Sequence, residues 1–520
     1  MNNLKITDRF MIRLAYFYLG LPYLIFLIGW LHWYISIPIS IFFVYALYCS
    51  IGSYVIDNKI IDEIRKQSKL LYLILFLLIV YLFFSGIGGY SFQNEDHHYR
   101  SAVFQDLINN QWPVVYQIKG FASENPLEGK QTFLVYYLGY WLPAAVAGKI
   151  LGIKVGSFIL YLWTVIGISL VLYFLCKYFN RFSIKIFWLF IAWGTLYFIG
   201  TFYTFPIKEI LKGNAYLWAG NLLFADGNTG LIYWTFNQTI VPWLIILLII
   251  NQMNPKNILF LSSILFFYGP FAFIGFLSFI AYFVYKNDFS KAKLNNIDFK
   301  KFGKYLSFEN VGGSFSVMAI CYFYFASNSS GNVFNIVLPE IKTYLIFIFL
   351  SIGIISILLF DRYKTDLLFY LILFVLLILP FFQLGFGLDL TARASIPAMF
   401  ILMLLAGEYL LKAKNGIRKN LVILYLIVAG LGHNMQFIRS VYFTSLEAAS
   451  QTNLGETLST NGNPIIKNIG DRLLVAKDKN LTIQNNLGTL KNPNNVLVRN
   501  FMGLTDQSIF YKYLAKSDGK

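Results

Sequence analysis

Apolar runs long enough to cross a membrane recur along this chain almost to its end, separated by short polar stretches. A helix rises about 1.5 Å per residue, so roughly 20 apolar residues cross a hydrocarbon core about 30 Å thick. On that measure the runs at 11–31, 35–56, 70–88, 132–150, 157–176, 184–201, 236–252, 257–282, 311–326, 341–360, 366–382, 394–411 and 419–437 predict spans, about thirteen in all. Segments 132–150 and 311–326 are short for a span, and 257–282 carries Pro270, which predicts a kink or a segment buried against protein. In lipid every backbone polar group must be satisfied within the protein, so the predicted class is an all-α polytopic membrane protein.

Two longer polar stretches interrupt this pattern. The first, 89–131, opens with Glu95-Asp96-His97-His98-Tyr99-Arg100. Within 99–108 the apolar residues Val103 and Leu107 recur at four-residue spacing beside Phe104 and Ile108. That spacing predicts an amphipathic helix lying along the membrane surface, ended by Asn109-Asn110 and Trp112-Pro113. The second, 440–520, is Asn-rich, with turn signals at Asn461-Gly462-Asn463-Pro464 and Asn492-Pro493-Asn494-Asn495. It predicts a small, partly β, soluble domain. The expected organisation is therefore a transmembrane domain over 1–439, containing the loop 89–131, and a C-terminal domain over 440–520.

Composition agrees with this class. Of 520 residues 57% are hydrophobic and 13% charged, with a mean hydropathy of +0.60, whereas soluble proteins carry about 25% charged residues. A formal charge of +17 would suit nucleic acid in a soluble protein. Here Lys and Arg in short loops set topology, and no nucleic-acid partner is expected. Lys5, Arg9, Lys59, Arg65, Lys66, Lys69, the lysines of 286–304 and those of 412–419 fall on one predicted side, which should be cytoplasmic. Lys177, Arg181 and Lys185 then fall outside, against the rule, and 202–235 falls inside although its Trp218, Asn221, Asp226 and Trp234 suit a groove. The loops 89–131, 327–340 and 383–393 and the tail are expected to share the outer face. The first apolar run lacks a small-residue cleavage site and reads as a span rather than a signal peptide. Cys49, Cys176 and Cys321 lie in or beside apolar runs and offer neither a disulfide framework nor zinc spacing. The Lys, Ile and Asn bias suggests a low-GC bacterial genome and a multi-pass protein of the cytoplasmic (inner) membrane.

The loop 89–131 is the first candidate for chemistry. Gly88-Gly89 permit a sharp exit from the preceding helix. Glu95 and Asp96 then sit where a helix dipole favours carboxylates. An ordinary solvated loop would also explain them. A carboxylate there could instead accept a proton from an attacking hydroxyl, or with His98 hold a divalent metal. A second constellation is Asp389 and Arg393, at four-residue spacing where a span opens. They could simply pair, or Arg393 could face a cavity and grip a phosphate with its planar fork. Lys208, Glu209 and Lys212, before Trp218 and Asp226, are either surface charge or a polar groove. His433, preceded by the small neighbours Gly430 and Gly432 and followed by Asn434, reads as structural. No Walker loop, dinucleotide fingerprint, zincin helix or nucleophile elbow is present, so no nucleotide cofactor is expected.

The acidic pair Glu95-Asp96, the helix 99–108, Trp112-Pro113 and the stretch Leu134-Val135-Tyr136-Tyr137-Leu138-Gly139-Tyr140-Trp141-Leu142-Pro143 together resemble the polytopic glycosyltransferases of the GT-C superfamily. The stretch from Arg393 to Pro397 resembles the later segment that those enzymes direct at a lipid phosphate. Departures are two extra spans before the acidic loop, where one is usual, Ala394 beside the arginine where an aromatic is usual, and the His97-His98 pair. The resemblance implies a GT-C-like fold with the active site and tail extracytoplasmic. It implies a polyprenyl-phosphate-linked sugar as donor and a glycan, lipid or protein as acceptor, within membrane lipids. It implies Asp96 and Glu95 as catalytic, with His97, His98, Arg100, Lys208, Trp218, Asp226, Asp389 and Arg393 around the substrates, and in some members a divalent Mg, Mn or Ca ion. The alternatives are an envelope polysaccharide polymerase or ligase, and a transporter of a lipid-linked substrate.

Overall fold

The computed structural model describes residues 6–52, 54, 56–118, 129–207, 210, 217–220, 222–225, 227–252, 256–288, 303–330, 334–384, 389–453, 480–481 and 501–516. Among them, eight helices are long and apolar enough to cross a membrane: Asp8–Trp30, Trp33–Ile51, Ile153–Tyr178, Asn228–Ile250, Pro270–Asp288, Ile341–Tyr363, Asp389–Lys412 and Ile417–Leu446. A ninth is formed if the bent pair Lys59–Lys66 and Ser68–Phe83 is one span. Shorter apolar helices at Leu142–Leu151, Ile258–Tyr268 and Leu367–Phe381 pack among them. This is a polytopic, mostly α-helical membrane protein with a small β-containing region.

The helix Asn228–Ile250 is the axis of the bundle, with 89% of its most apolar window buried. Its C-terminal half, 240–250, is apolar all round, as a helix segment enclosed by others is. Its one irregularity is Thr235, whose φ of −136° and ψ of 33° break the helical run. Trp33–Ile51 is the opposite case: only 22% of its window is buried, so it presents most of its apolar surface outward.

Buried polar contacts fix which helix ends share a face. At the N-terminal face Asp8 accepts from Tyr173 Oη at 2.6 Å and pairs with Lys177 at 2.6 Å. Beside it, Glu63 accepts from the Phe182 amide at 2.8 Å. Lys177, Arg181 and Lys185 therefore share the face of Asp8 and the basic loops rather than the opposite one. The reason is local. Segment 132–150 is not a span: it holds the strand Gln131–Leu134, a 3₁₀ turn at Leu138–Tyr140 and the ten-residue helix Leu142–Leu151. Ten residues rise about 15 Å, half the hydrocarbon core.

A second difference restores the later order. Segment 257–282 is two helices, Ile258–Tyr268 and Pro270–Asp288, meeting at Gly269-Pro270. Proline has no N–H to continue a helix through that point. The segment 184–201 is likewise broken, into Ile184–Ala192 and Tyr197–Thr204. It carries the chain to the face of the acidic loop, so the described residues of 202–235 do not fall on the side of the basic loops.

The opposite face carries the β structure. Strand Val115–Ile118 pairs antiparallel with Gln131–Leu134, which pairs antiparallel with Met502–Leu504, and Asn480–Leu481 adds in parallel on the other side. One sheet thus joins the loop 89–131 to the C-terminal tail. The expected boundary at 439/440 falls inside the helix Met435–Asn453. A separate pair, Phe334–Ile336 with Phe382–Leu384, ties two further loops of this face together.

Candidate functional site

The acidic loop is built from its turn outward. Gly86, Gly88 and Gly89 adopt φ values of 81°, 85° and 79°, a region that residues with a Cβ avoid. They turn the chain sharply after Phe83. Asn94 then caps a helix over Glu95–Asn109, its Oδ1 accepting from the His97 amide at 3.3 Å. The helix starts four residues before the expected amphipathic segment and ends at the expected Asn109. It is not laid flat on a surface: Ala102, Val103, Phe104 and Leu107 are buried in the core, and it packs against Leu142–Leu151.

This site helix hangs on the bundle axis next to the irregularity at Thr235. The Tyr233 carbonyl accepts from Asn94 Nδ2 at 2.7 Å and lies 2.9 Å from His97 Nε2. The His97 ring stacks on Phe236, 5.4 Å between centroids. His97 thus acts as an anchor, turned away from the two cavities described below. Asp96, one residue earlier, faces outward and accepts from Arg100 Nη2 at 2.8 Å. The Asp96 side chain is 43% exposed and that of Arg100 only 5%. Among the described residues, Arg100 Nε and Nη1 are buried with no hydrogen-bond partner, and the guanidinium lies 5.7 Å from the Phe236 ring centre.

The second constellation meets the first. Asp389 opens the helix Asp389–Ala394 and pairs with Arg393 in its last turn, at i,i+4. The helix is brought in because Gly275 lets Pro270–Asp288 approach its backbone: a Cβ at Gly275 would collide with the Ala394 carbonyl. Behind it, Ser395 Oγ accepts from the Ala225 amide at 2.7 Å.

Asp96, Asp389 and Arg393 line two cavities at once. One, of about 430 Å³, is walled mainly by apolar residues such as Phe198, Phe202, Leu223, Leu231 and Trp234, with Arg439 and His433 also in its lining. The other, of about 770 Å³, adds Arg100, Tyr136, Tyr137, Asn328 and Ser330. Tyr136 stands where the charges converge. Burial raises its phenol above the ordinary tyrosine range, Arg100 and Arg393 oppose that shift, and Asp96 and Asp389 reinforce it. The phenol is thereby kept protonated, a hydrogen-bond donor, at neutral pH.

Other expected residues lie elsewhere. Trp218 donates to the Tyr197 carbonyl at 2.9 Å and lines a different cavity of about 380 Å³ with Glu340 and Thr391. Lys208 and Asp226 lie outside the described residues, as do the side chains of Glu95 and His98. His433 is structural in part: its Nε2 lies 3.0 Å from both the amide nitrogen and the carbonyl oxygen of Thr195, and its ring fills the space against Gly194 and Gly227. Yet it also reaches the apolar cavity. Arg439 was not singled out by sequence. Its guanidinium lies 5.0 Å over Phe92 and 5.8 Å over Phe443.

Among the described residues no three His, Cys, Asp or Glu side chains converge as a metal site. Asp96 and Asp389 are each held by an arginine. The side chains of Glu95 and His98 lie outside the described residues, and the chemistry below is written without a metal ion.

Comparison with family models, with curated proteins and with solved structures finds no match. The arrangement therefore stands on its geometry: two cavities that share two carboxylates and an arginine in their lining.

One group beneath the site gives a test of its packing. Asp106, on the buried side of the site helix, accepts from Tyr116 Oη at 2.9 Å. Burial pushes its carboxyl well above the usual carboxylate range, and the Tyr116 bond opposes this only in part. The folded protein thus holds this proton to higher pH than the unfolded chain does. Its contribution to stability is complete below the unfolded value, about 3.9, and is lost as pH rises through the raised folded value. Asp106→Asn keeps an acceptor for Tyr116 without the ionisation. The stability of the wild type should fall relative to Asp106→Asn as pH rises from 4.5 to 8, by up to about 1.4 kcal/mol per pH unit, and its apparent melting temperature should fall with it. Parallel melting curves across that range would contradict the assignment.

Proposed function

We propose that this protein is a GT-C-like glycosyltransferase of the bacterial cytoplasmic membrane. It transfers a sugar from a polyprenyl-phosphate donor to an envelope glycan, lipid or protein acceptor at the extracytoplasmic face. The observation that carries this reading is the junction of the two cavities at Asp96, Asp389 and Arg393. An amphiphilic donor needs an apolar channel ending at a cation. The smaller cavity supplies the apolar wall, and Arg393 and Arg439 are among its lining residues. A hydroxyl acceptor needs polar partners near the same point, and the larger cavity adds Arg100, Tyr137, Asn328 and Ser330 to those shared residues. Basic loops on the opposite face support the orientation.

The proposed step is a single displacement with inversion. The acceptor hydroxyl gives its proton to the Asp96 carboxylate. Its oxygen forms a bond to the anomeric carbon. The bond from that carbon to the phosphate oxygen breaks, and its electron pair leaves on the polyprenyl phosphate. Arg393, with Arg100 behind Asp96, stabilises the charge that develops on the phosphate. Their partial burial strengthens that interaction by excluding water.

A transporter would set its ionisable groups near the midplane of several spans. Here Asp389 and Arg393 stand at the first turn of a span, and Asp96 stands outside the spans. The test is release of polyprenyl phosphate from a synthetic polyprenyl-phosphate hexose by the purified protein in nanodiscs, with glycan, lipid and peptide acceptors compared. Acceptor-dependent release supports the reading. Movement of intact donor between leaflets without release would replace it with the transporter.

A further inference from the structure

The larger cavity has a wall that the step above does not use. Phe501, just before the C-terminal strand, lines it together with Tyr99 and Tyr136. The Phe501 ring lies 4.6 Å from that of Tyr136, and 6.2 Å from that of Tyr99 with only 6° between their planes. Tyr136 continues the row to Trp141, 6.0 Å away. Tyr99, Tyr136 and Phe501, from three distant parts of the chain, thus meet in the lining of this cavity, with 40° between the Tyr136 and Phe501 planes.

The position of Phe501 is fixed from both sides. Its carbonyl accepts from the Val135 amide at 2.9 Å, and the Met502 carbonyl accepts from the Ser329 amide at 2.8 Å. Met502–Leu504 pairs with Gln131–Leu134 on one edge, and Gly503 bridges to Asn328 on the other. Beyond the strand, Phe510 packs against Phe26 and Tyr324, and the Leu514 carbonyl accepts from the His32 amide at 3.0 Å. The chain's return to this face therefore completes the cavity rather than hanging beside it.

We propose that this cavity takes its acceptor as a sugar ring, stacked on the aromatic wall that Phe501 completes. The word acceptor rests on the transferase reading; the sugar rests on the cavity alone. A pyranose has apolar C–H faces and a rim of hydroxyls. The faces pack on aromatic rings, and the rim takes carboxylate, guanidinium, amide and phenol partners. The cavity offers both kinds: Tyr99, Tyr136 and Phe501 beside Asp96, Arg100 and Tyr137. Its volume of about 770 Å³ lies within the roughly 300–1,000 Å³ of small-molecule sites. A lipid acceptor would place its chains among the charges of Asp96, Arg100, Asp389 and Arg393. A peptide added as a strand at Met502–Leu504 would meet an edge already engaged at Gly503.

The test is saturation-transfer NMR on the full-length protein in nanodiscs. The probes are methyl hexopyranosides and methyl N-acetylhexosaminides, with a Ser/Thr tetrapeptide as comparator. At least one glycoside should bind, and Phe501→Leu should weaken it about tenfold, the scale of one lost aromatic contact. Phe501→Trp should restore binding. If Phe501→Leu lowers the melting temperature, Tyr99→Leu probes the same wall from the site helix and should show the same loss. Failure of every glycoside to bind, or equal binding in the wild type and the leucine variants, overturns the proposal. The two readings fail separately. Glycoside binding without any transfer sinks the transferase and keeps this site. Transfer to a peptide that ignores Phe501→Leu keeps the transferase and sinks this site.

Discussion

Asp96→Asn is expected to lower turnover of a polyprenyl-phosphate hexose by about 10²–10⁴-fold, the usual range for a positioned general base. The protein should still fold. The Asn oxygen can accept the Arg100 bond that Asp96 accepts now at 2.8 Å, and the Asp96 side chain is exposed enough for water to reach. Donor affinity should change little, because the lost carboxylate acts on the acceptor hydroxyl. Loss of turnover at unchanged donor KM is the signature of a group used in the transition state. It is read from initial rates of polyprenyl phosphate release. Unchanged turnover would remove Asp96 from the chemistry and leave it as the partner of Arg100.

Arg393→Ala should act on the donor instead. It removes the cation at the junction and leaves Asp389 without its ion-pair partner, so the phosphate would meet a net negative site. A charged hydrogen bond contributes about 1.5–3 kcal/mol, so donor KM should rise about 10–100-fold. Arg393→Lys keeps the charge but loses the planar fork, and should recover part of the loss. Equal donor affinity in Arg393→Ala and the wild type would show that Arg393 serves only to pair with Asp389.

The class of fold was legible because long apolar runs have few other uses. The mistakes came where length and composition say nothing about path. Segment 132–150 is apolar enough to suggest a span, yet Pro143 starts a short helix there and the residues before it form a strand. Segment 257–282 reads as one kinked span, and Gly269-Pro270 divides it in two. The first difference removes a crossing and the second adds one. That is why basic residues such as Lys286 and Lys412 kept their expected side while Lys177 did not.

The site was legible where polarity was unexpected. Asp96, Arg100, Asp389 and Arg393 were each conspicuous, and the fold brings them to shared cavities. His97 was equally conspicuous and is an anchor, because the adjoining irregular turn at Thr235 sets the Tyr233 carbonyl where its ring can reach. Sequence could not separate the two roles, since helix geometry points adjacent residues in different directions. Phe501 and Arg439 were hidden for another reason. One is a single aromatic in a chain with 52 Phe, and only its pairing with a strand more than 360 residues earlier gives it a place.

The central claim is that a lipid-linked donor occupies the apolar cavity with its phosphate at the junction. It is tested most directly by a cryo-EM map of the wild-type protein with a polyprenyl-phosphate hexose. Prenyl density is expected among Phe198, Leu231 and Trp234, with the phosphate beside Arg393 and the sugar turned toward Asp96. Prenyl density on another surface, with this cavity empty, would contradict it.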